Sequence, residues 1–558
     1  MKSLVLLLAQ SIALAVLLTW PLAAHLGTEA VGSVESDTVK HLWNLWWMRQ
    51  EALGGTPGLL TTLVNFPEGM ELYPIEPLNG LAAVVLPLPP VALSNVLALV
   101  HVTLVGLCTG WLASLVSGSR LGAHAAAALA QASSFVAFTL HVGVGELRQT
   151  WWIPLGLAVL YQAHHTRRWR WFLALGLTLA SCVVACFYHG LFLALAVSTW
   201  ALVTLRPSLK LLGGYALAAG LGLALAVPTL ESFSTTYRGD PPPEVLEEHG
   251  AVRHGYRLSA AHLDHLVTWR EASPEPDHRQ ERAYTGGRYL GWGTLCLALI
   301  GIGAAPRRAY PWVAVSGVGI LLALGSVIWW NDQILKFGTF TLVLPFTWMN
   351  AEMAKHAEAI NFPARFLALP AITLPVLASL AMRWRWLALL VPLAVYDMLA
   401  HDLVPWPRAT VALPTMAELS PSALSEAGIT GPIADLSLAA ESNEESRLRA
   451  VAMQIATGQP SSGVPIERLD NWATSGREWL ALHELTRLGN LTDRPQLAAP
   501  SLPTLAADLR ALRERGYTAV AVTFRERSHD GRVEAVLTPV LGEPIRADHA
   551  LLWPLVAP

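Results

Sequence analysis

Charge is sparse in this sequence. Acidic and basic residues fill 14% of its 558 positions and nearly cancel, leaving a formal net charge of −3. That balance excludes the basic footprint of a nucleic-acid-binding protein. Cysteine is scarce too: Cys108, Cys182, Cys186 and Cys296 are the only four. All four fall in apolar stretches, where a thiol behaves as a small hydrophobe, and no disulfide framework follows from them. Cys182 and Cys186 share a helical face, but no His or Asp stands beside them, so they are not read as metal ligands. The sequence also lacks a Walker loop, a Rossmann glycine fingerprint, a nucleophile elbow and an HExxH pair. The glycines near Gly143 and Gly220 sit in hydrophobic runs, where close helix packing explains them. An ATP-driven pump is unsupported.

What is abundant is apolar surface, with 53% of residues hydrophobic. That composition describes a polytopic membrane protein carrying some soluble mass. The long apolar runs are Leu4–Leu22, Val96–Val116, Leu121–Leu140, Trp151–Ala163, Trp171–Ala185, Leu191–Leu205, Leu211–Leu230, Leu290–Ala304, Pro311–Ile328, Phe366–Met382 and Leu387–Ala400. A bilayer asks for roughly 20 residues, so the shortest runs borrow from their flanks. The first run follows Lys2 and is read as a retained anchor rather than a cleaved signal. Leu81–Leu93 contains Pro87, Pro89 and Pro90, which break a helix, and is expected to be re-entrant or interfacial.

Charge orients the runs. With Lys2 inside, the inner loops hold Arg120, then Arg167, Arg168 and Arg170, then Arg206 and Lys210, then Arg307 and Arg308, then Arg383 and Arg385. Each is short, basic and free of acid, as the positive-inside rule requires. The alternating loops, Ala24–Asn79, His141–Thr150, Glu231–Arg288 and Trp329–Pro363, are long or acidic. The expected fold is mainly α: a transmembrane helical bundle of about 11 spans over residues 1–402, with first, further and last long outer loops at 24–79, 231–288 and 329–363. Beyond Pro405, Pro407 and Pro414 the composition turns charged. There Pro432–Leu438 and Thr518–Phe524 read as strands, and Glu444–Ala456 and Leu505–Arg515 as helices. Residues 403–558 are therefore expected to form a small extracytoplasmic α/β domain.

The chemistry-bearing residues gather on the outer side of this topology. Val34–Trp47 follows the first run and carries Glu35, Asp37, Lys40 and His41. Asp37 and His41, four apart, share one helix face. Trp43, Trp46 and Trp47 suit a membrane interface. Next come the acids of Asn65–Pro77, Glu146 and Arg148 in the short outer loop, Tyr188-His189 at a helix end, and Glu231 past another. A His- and Arg-rich loop holds His254, Arg257, His262, His265, Arg270, His278, Arg282 and Arg288, and Arg365 opens a late run. A carboxylate can serve as general base, and arginine grips a phosphate with paired hydrogen bonds. The bland readings stand beside these: Arg365 as a residue snorkelling to headgroups, His262 and His265 as solvated loop histidines, and the outer charges as loop solvation.

The motifs SDTVKHLWNLWW at Ser36–Trp47, NFPEGMELY at Asn65–Tyr73, RYLGWGTL at Arg288–Leu295, NFPARF at Asn361–Phe366 and the tail GYTAVAVTF resemble those of the GT-C superfamily of polytopic membrane glycosyltransferases, and more narrowly a bacterial membrane-protein branch of it. The resemblance implies transfer of a sugar from a polyprenyl-phosphate donor to a glycan, lipid or protein acceptor, on the extracytoplasmic face of the bacterial cytoplasmic membrane. It places Asp37 at the first-loop acid that acts as base or binds acceptor; His41, on the same helix face, is read beside it as its orienting partner. It places Arg365 near the carrier phosphate, and leaves Glu35, Glu146, Arg148 and Glu231 as substrate-binding candidates. The adjacent acidic pair usual in the superfamily is absent here, because Ser36 separates Glu35 from Asp37. No metal ligand is assigned, and a divalent ion is the one cofactor the resemblance leaves open. The alternative function is a non-catalytic membrane protein that binds or moves lipid-linked glycan, since intramembrane ionisable residues also mark transport routes.

Overall fold

The computed structural model describes residues 2–33, 37–54, 60–204, 208–236, 260–268, 286–331, 333–338, 340–353, 360, 362–400, 406–414, 416–436, 444–462, 501–524 and 531–555. The chain divides into two compact units. One comprises Met1–Ser36, Ile75–Asn79 and Val91–Thr410; the other comprises Asp37–Pro74, Gly80–Pro90 and Val411–Pro558.

The first unit is helical. Among the described residues five helices are long and apolar enough to cross a membrane: Pro90–Ser117, Arg120–His141, Phe187–Thr204, Leu209–Phe233 and Pro363–Ala381. Three shorter apolar helices, Leu4–Leu18, Trp169–Ala185 and Trp292–Ala304, lie on further expected runs. The punctuation is local. Ser119 caps the helix Arg120–Ala132 by accepting the Gly122 N–H, and Arg167 takes a left-handed φ of 53° to end Trp152–Thr166 before Trp169 begins the next helix. The prolines break the helical path between Val85 and Pro90, as expected. A helix spans Pro77–Val85, and Pro90 opens the helix Pro90–Ser117, at a position where its missing N–H would have had no partner anyway.

Ala368–Ala381 is the centre of this unit, buried along its whole length. It packs against Arg120–Ala132, Trp292–Ala304 and Pro306–Ala323. The approach to Trp292–Ala304 is close enough to require glycine: a Cβ on Gly301 would lie 2.0 Å from the Leu377 carbonyl oxygen. Elsewhere the helices turn apolar side chains outward. Leu209, Leu212, Leu217, Leu223 and Leu225 are exposed on Leu209–Thr236, as are Leu4, Val5, Leu6 and Ile12 on Lys2–Leu18. Whole helices of exposed leucine are unstable in water and stable in lipid. The chain is a multi-pass membrane protein.

The second unit contains a four-stranded sheet ordered Ile545–Ala547, Ala550–Pro554, Ala519–Thr523, Ile433–Asp435. Ala519–Thr523 pairs parallel with Ile433–Asp435 and antiparallel with Ala550–Pro554. All five of its residues are buried, as expected for a β-branched and alanine run with both faces covered. The helices Glu444–Thr457, Leu502–Glu514 and Arg532–Leu541 accompany the sheet.

In the same unit, the helix Thr38–Gly54 corrects the reading of its tryptophans. Trp43, Trp46 and Trp47 are buried. Trp43 and Trp47 stack with centroids 5.7 Å apart, and the Trp43 indole N–H donates to Gln454 Oε1 at 2.8 Å. Residues at this spacing share a face of the helix, and that face packs on Glu444–Thr457. Protein, rather than a lipid interface, covers them.

Candidate functional site

Two arginines meet at one cleft in the first unit. Arg365 enters on the 3-10 turn Pro363–Leu367, its backbone N–H donating to the Phe362 carbonyl. It is 7% exposed, so it does not snorkel to solvent. Its guanidinium lies over the rings of Tyr188 and Phe362, at 4.6 and 4.7 Å from their centroids. Its Nε has no hydrogen-bond partner, and no carboxylate pairs with it among the described residues. Arg288, 2% exposed, comes from the short turn Gly286–Arg288. Arg288 and Arg365 line the same cleft, whose other walls include Phe135, Phe138 and Phe362. A second, apolar cavity shares Phe135 and Gly287 with it, and runs between Leu129, Leu367, Pro370, Leu374 and Met398. A cationic cleft with phenylalanine walls thus adjoins an apolar cavity among membrane-length helices. The lining has the chemistry that an anionic head on a hydrocarbon tail calls for.

Arg288 is held from behind. Its Nη1 lies 3.1 Å from His265 Nδ1; a guanidinium only donates, so Nδ1 accepts. Asp264 Oδ2 faces His265 Nε2 at 3.9 Å, and Asp264 Oδ1 accepts the Asn331 N–H. His262 stacks on His265 at 4.5 Å and on Trp329 at 5.5 Å. Both histidines are buried, which corrects the solvated-loop reading. Ala261 and Leu263 hydrogen-bond through their backbones to Ala323 and Trp329, drawing the segment inward.

His262, Asp264 and His265 have the chemistry of a metal-binding set, with donor atoms within 4.8 Å of one another. Their present geometry is less suited to an ion. The imidazole planes are 13° apart, so their in-plane lone pairs run side by side instead of converging, and Arg288 occupies one His265 nitrogen. The set reads as a hydrogen-bonded support.

A second polar network surrounds Arg148. Trp151 donates its indole N–H to His101 Nδ1 at 3.1 Å. His101 Nε2 therefore carries the proton and donates to Asn79 Oδ1 at 3.0 Å, and Asn79 donates to Glu76 Oε2 at 2.6 Å. Glu76 fills space that glycine leaves open, since a Cβ on Gly145 would lie 2.0 Å from Glu76 Oε2. Arg148 donates to the Val31 carbonyl at 2.7 Å and to Ser94 Oγ at 3.2 Å. Burial pushes its guanidinium down to about 10, while the charges of Glu76 and Glu146 pull the other way; it stays protonated at neutral pH. His101 lies within electrostatic range of both Arg148 and His189, and His189 within range of Arg365. Cys186 feels both Glu146 and Arg365.

Of the residues expected from sequence, the structure gathers Glu146, Arg148 and Arg365 into this neighbourhood. Glu231 lies exposed on Leu209–Thr236. Asp37 and His41 belong to the second unit. Asp37 Oδ1 pairs with Lys40 Nζ at 2.7 Å, and His41 is buried. Glu35, His254, Arg257, Arg270, His278 and Arg282 lie outside the described residues. Sequence reasoning passed over His101, Asn79 and Trp151, and left Glu76 as one acid among several. A histidine inside the apolar run LALVHVTL was the available signal.

No family model matches the sequence. No curated protein matches it either. Solved structures do resemble it in fold. The arabinofuranosyltransferase AftD from mycobacteria aligns over 100% of this chain and 40% of its own, with a TM-score of 0.55 and 14% identity. A mutant form of that protein gives 0.57 at 14% identity, over 100% and 42% of the two chains. This chain therefore spans about two fifths of AftD. ArnT from Cupriavidus metallidurans, solved with undecaprenyl phosphate bound, aligns over 99% of this chain and 98% of its own at a TM-score of 0.41 and 13% identity.

Proposed function

Because the chain has the fold of the GT-C membrane glycosyltransferases, we propose that it transfers a sugar from a polyprenyl-phosphate carrier to a glycan, lipid or protein acceptor of the cell envelope. The observation that carries this reading is the pair Arg288 and Arg365 in a phenylalanine-walled cleft that adjoins an apolar cavity. The cleft would take the carrier phosphate and the cavity the start of its prenyl chain. In the reaction the acceptor hydroxyl attacks the sugar's anomeric carbon, and the bond from that carbon to the phosphate oxygen breaks. The phosphate leaves with the electron pair, and the arginines stabilise its developing charge. Asp37 takes the acceptor's proton as general base, with His41 as its orienting partner; sequence resemblance carries the first assignment and the four-residue spacing the second.

The basic short loops support a cytoplasmic amino terminus, and the sequence resemblance supports a bacterial cytoplasmic membrane. About 11 spans then bring the carboxyl-terminal stretch, and the chemistry, to the extracytoplasmic side. Asp37→Asn should abolish sugar transfer by the purified protein in detergent while leaving carrier binding intact. Transfer at the wild-type rate in that variant would remove Asp37 from the mechanism. Binding without turnover by the wild type would favour the non-catalytic alternative, in which the same cleft passes a lipid-linked glycan along.

A further inference from the structure

We propose that Asp264 and His265 are positioning residues that set Arg288 in the phosphate cleft; this rests on the cleft's assignment to a carrier phosphate. Arg288 has a long, flexible side chain, and a buried guanidinium with no fixed partner would have to be ordered by the ligand at the moment of binding, at a cost in affinity. Here the ordering is built in. The Asn331 N–H holds Asp264 Oδ1 at 3.1 Å. Asp264 Oδ2 faces His265 Nε2, favouring the tautomer that carries its proton there. That tautomer leaves Nδ1 as an acceptor, and Arg288 Nη1 lies 3.1 Å from it.

The backbone braces the same path. Leu263 N–H donates to the Trp329 carbonyl, and Leu290 N–H, two residues beyond Arg288, donates to the Leu266 carbonyl. Tyr289 is fixed in turn through its hydroxyl, which donates to Asp397 Oδ1 at 2.7 Å. Arg288 is therefore fixed at both its main chain and its tip. A neutral imidazole takes one guanidinium N–H and none of its charge. A carboxylate in the place of His265 would neutralise it.

The test compares two replacements that a packing role and a positioning role rank in opposite order. Asparagine can offer Oδ1 in the place of His265 Nδ1 but cannot stack. Phenylalanine can stack on His262 and Trp329 but accepts no hydrogen bond. Calorimetric titration of the purified full chain in detergent with farnesyl phosphate should show His265→Asn binding within about threefold of wild type. His265→Phe should lose roughly tenfold, the worth of one charge-assisted hydrogen bond. Asp264→Asn should fall between them, provided each variant remains monodisperse. Arg365→Met serves as the separate control for the cleft. If it loses binding while His265→Phe binds as well as His265→Asn or better, the positioning role is overturned and the phosphate cleft stands. If Arg365→Met binds like wild type, the phosphate reading fails and the positioning role fails with it. Inorganic phosphate should compete only at far higher concentration; equal competition would remove the prenyl chain from recognition and leave the arginine cradle.

Discussion

Arg148 and Arg365 are both buried arginines of the first unit, and their surroundings could hardly differ more. Arg148 spends its donors on the Val31 carbonyl and Ser94 Oγ, with Glu76 and Glu146 offsetting its charge. Arg365 has only the faces of Tyr188 and Phe362 beneath it; the Nε of each arginine is without a hydrogen bond, so the difference lies in the terminal nitrogens and the nearby carboxylates. An aromatic face attracts a cation without neutralising it. A buried charge is costly unless it is paired. Arg148 is thus accounted for by groups of the fold itself, whereas on the proposed reading Arg365 is kept for a phosphate. Burial alone did not distinguish them; the partners did.

The largest effect expected from this contrast is on stability, at Arg148. Replacing it with Met takes the donor away from the buried Val31 carbonyl and Ser94 Oγ and removes the cation whose field reaches Glu76 and Glu146; each buried polar group left unpaired costs roughly 1–3 kcal/mol. Arg148→Met should give a markedly lower melting temperature or little folded protein in a detergent thermal-shift assay. A variant as stable as wild type would erase the distinction between the two arginines. Gly145→Ala probes the same network more gently. Its methyl group would intrude on the Glu76 carboxylate, and overpacking of this kind costs about 1–3 kcal/mol. The same assay should rank it between Arg148→Met and wild type; no loss at all would mean that Glu76 moves freely. Arg365→Met should have the smallest effect on stability, because it removes a cation with no ion-pair partner among the described residues.

The sequence made some of this legible and hid the rest for physical reasons. Long apolar runs announce membrane helices because a bilayer imposes length and composition together. Arg365 and Arg148 stood out because a cation beside such a run needs an explanation. The cleft itself was not readable: Arg288 and Arg365 are far apart in sequence, and nothing in their local spacing says that Phe135 and Phe138 complete the walls around both. His101 was hidden for the opposite reason. It looks like a lone polar residue in a span until Asn79 and Trp151 arrive from other segments to fix its tautomer. The tryptophans of Thr38–Gly54 misled because amphipathic aromatics suit a lipid interface and a packed helix face equally well. Gln454, the partner of Trp43, lies hundreds of residues away. His262 and His265 misled similarly, since a polar loop sequence gives no sign that its backbone is drawn inward by Ala323 and Trp329.

The central claim is that the cleft between Arg288 and Arg365 holds the phosphate of a lipid carrier. Mass spectrometry of lipid co-purifying with wild-type protein and with Arg365→Met, prepared side by side, tests it most directly. A polyprenyl phosphate retained by the wild type and lost from an equally folded Arg365→Met is the result this account predicts. The same lipid retained equally by both would contradict it.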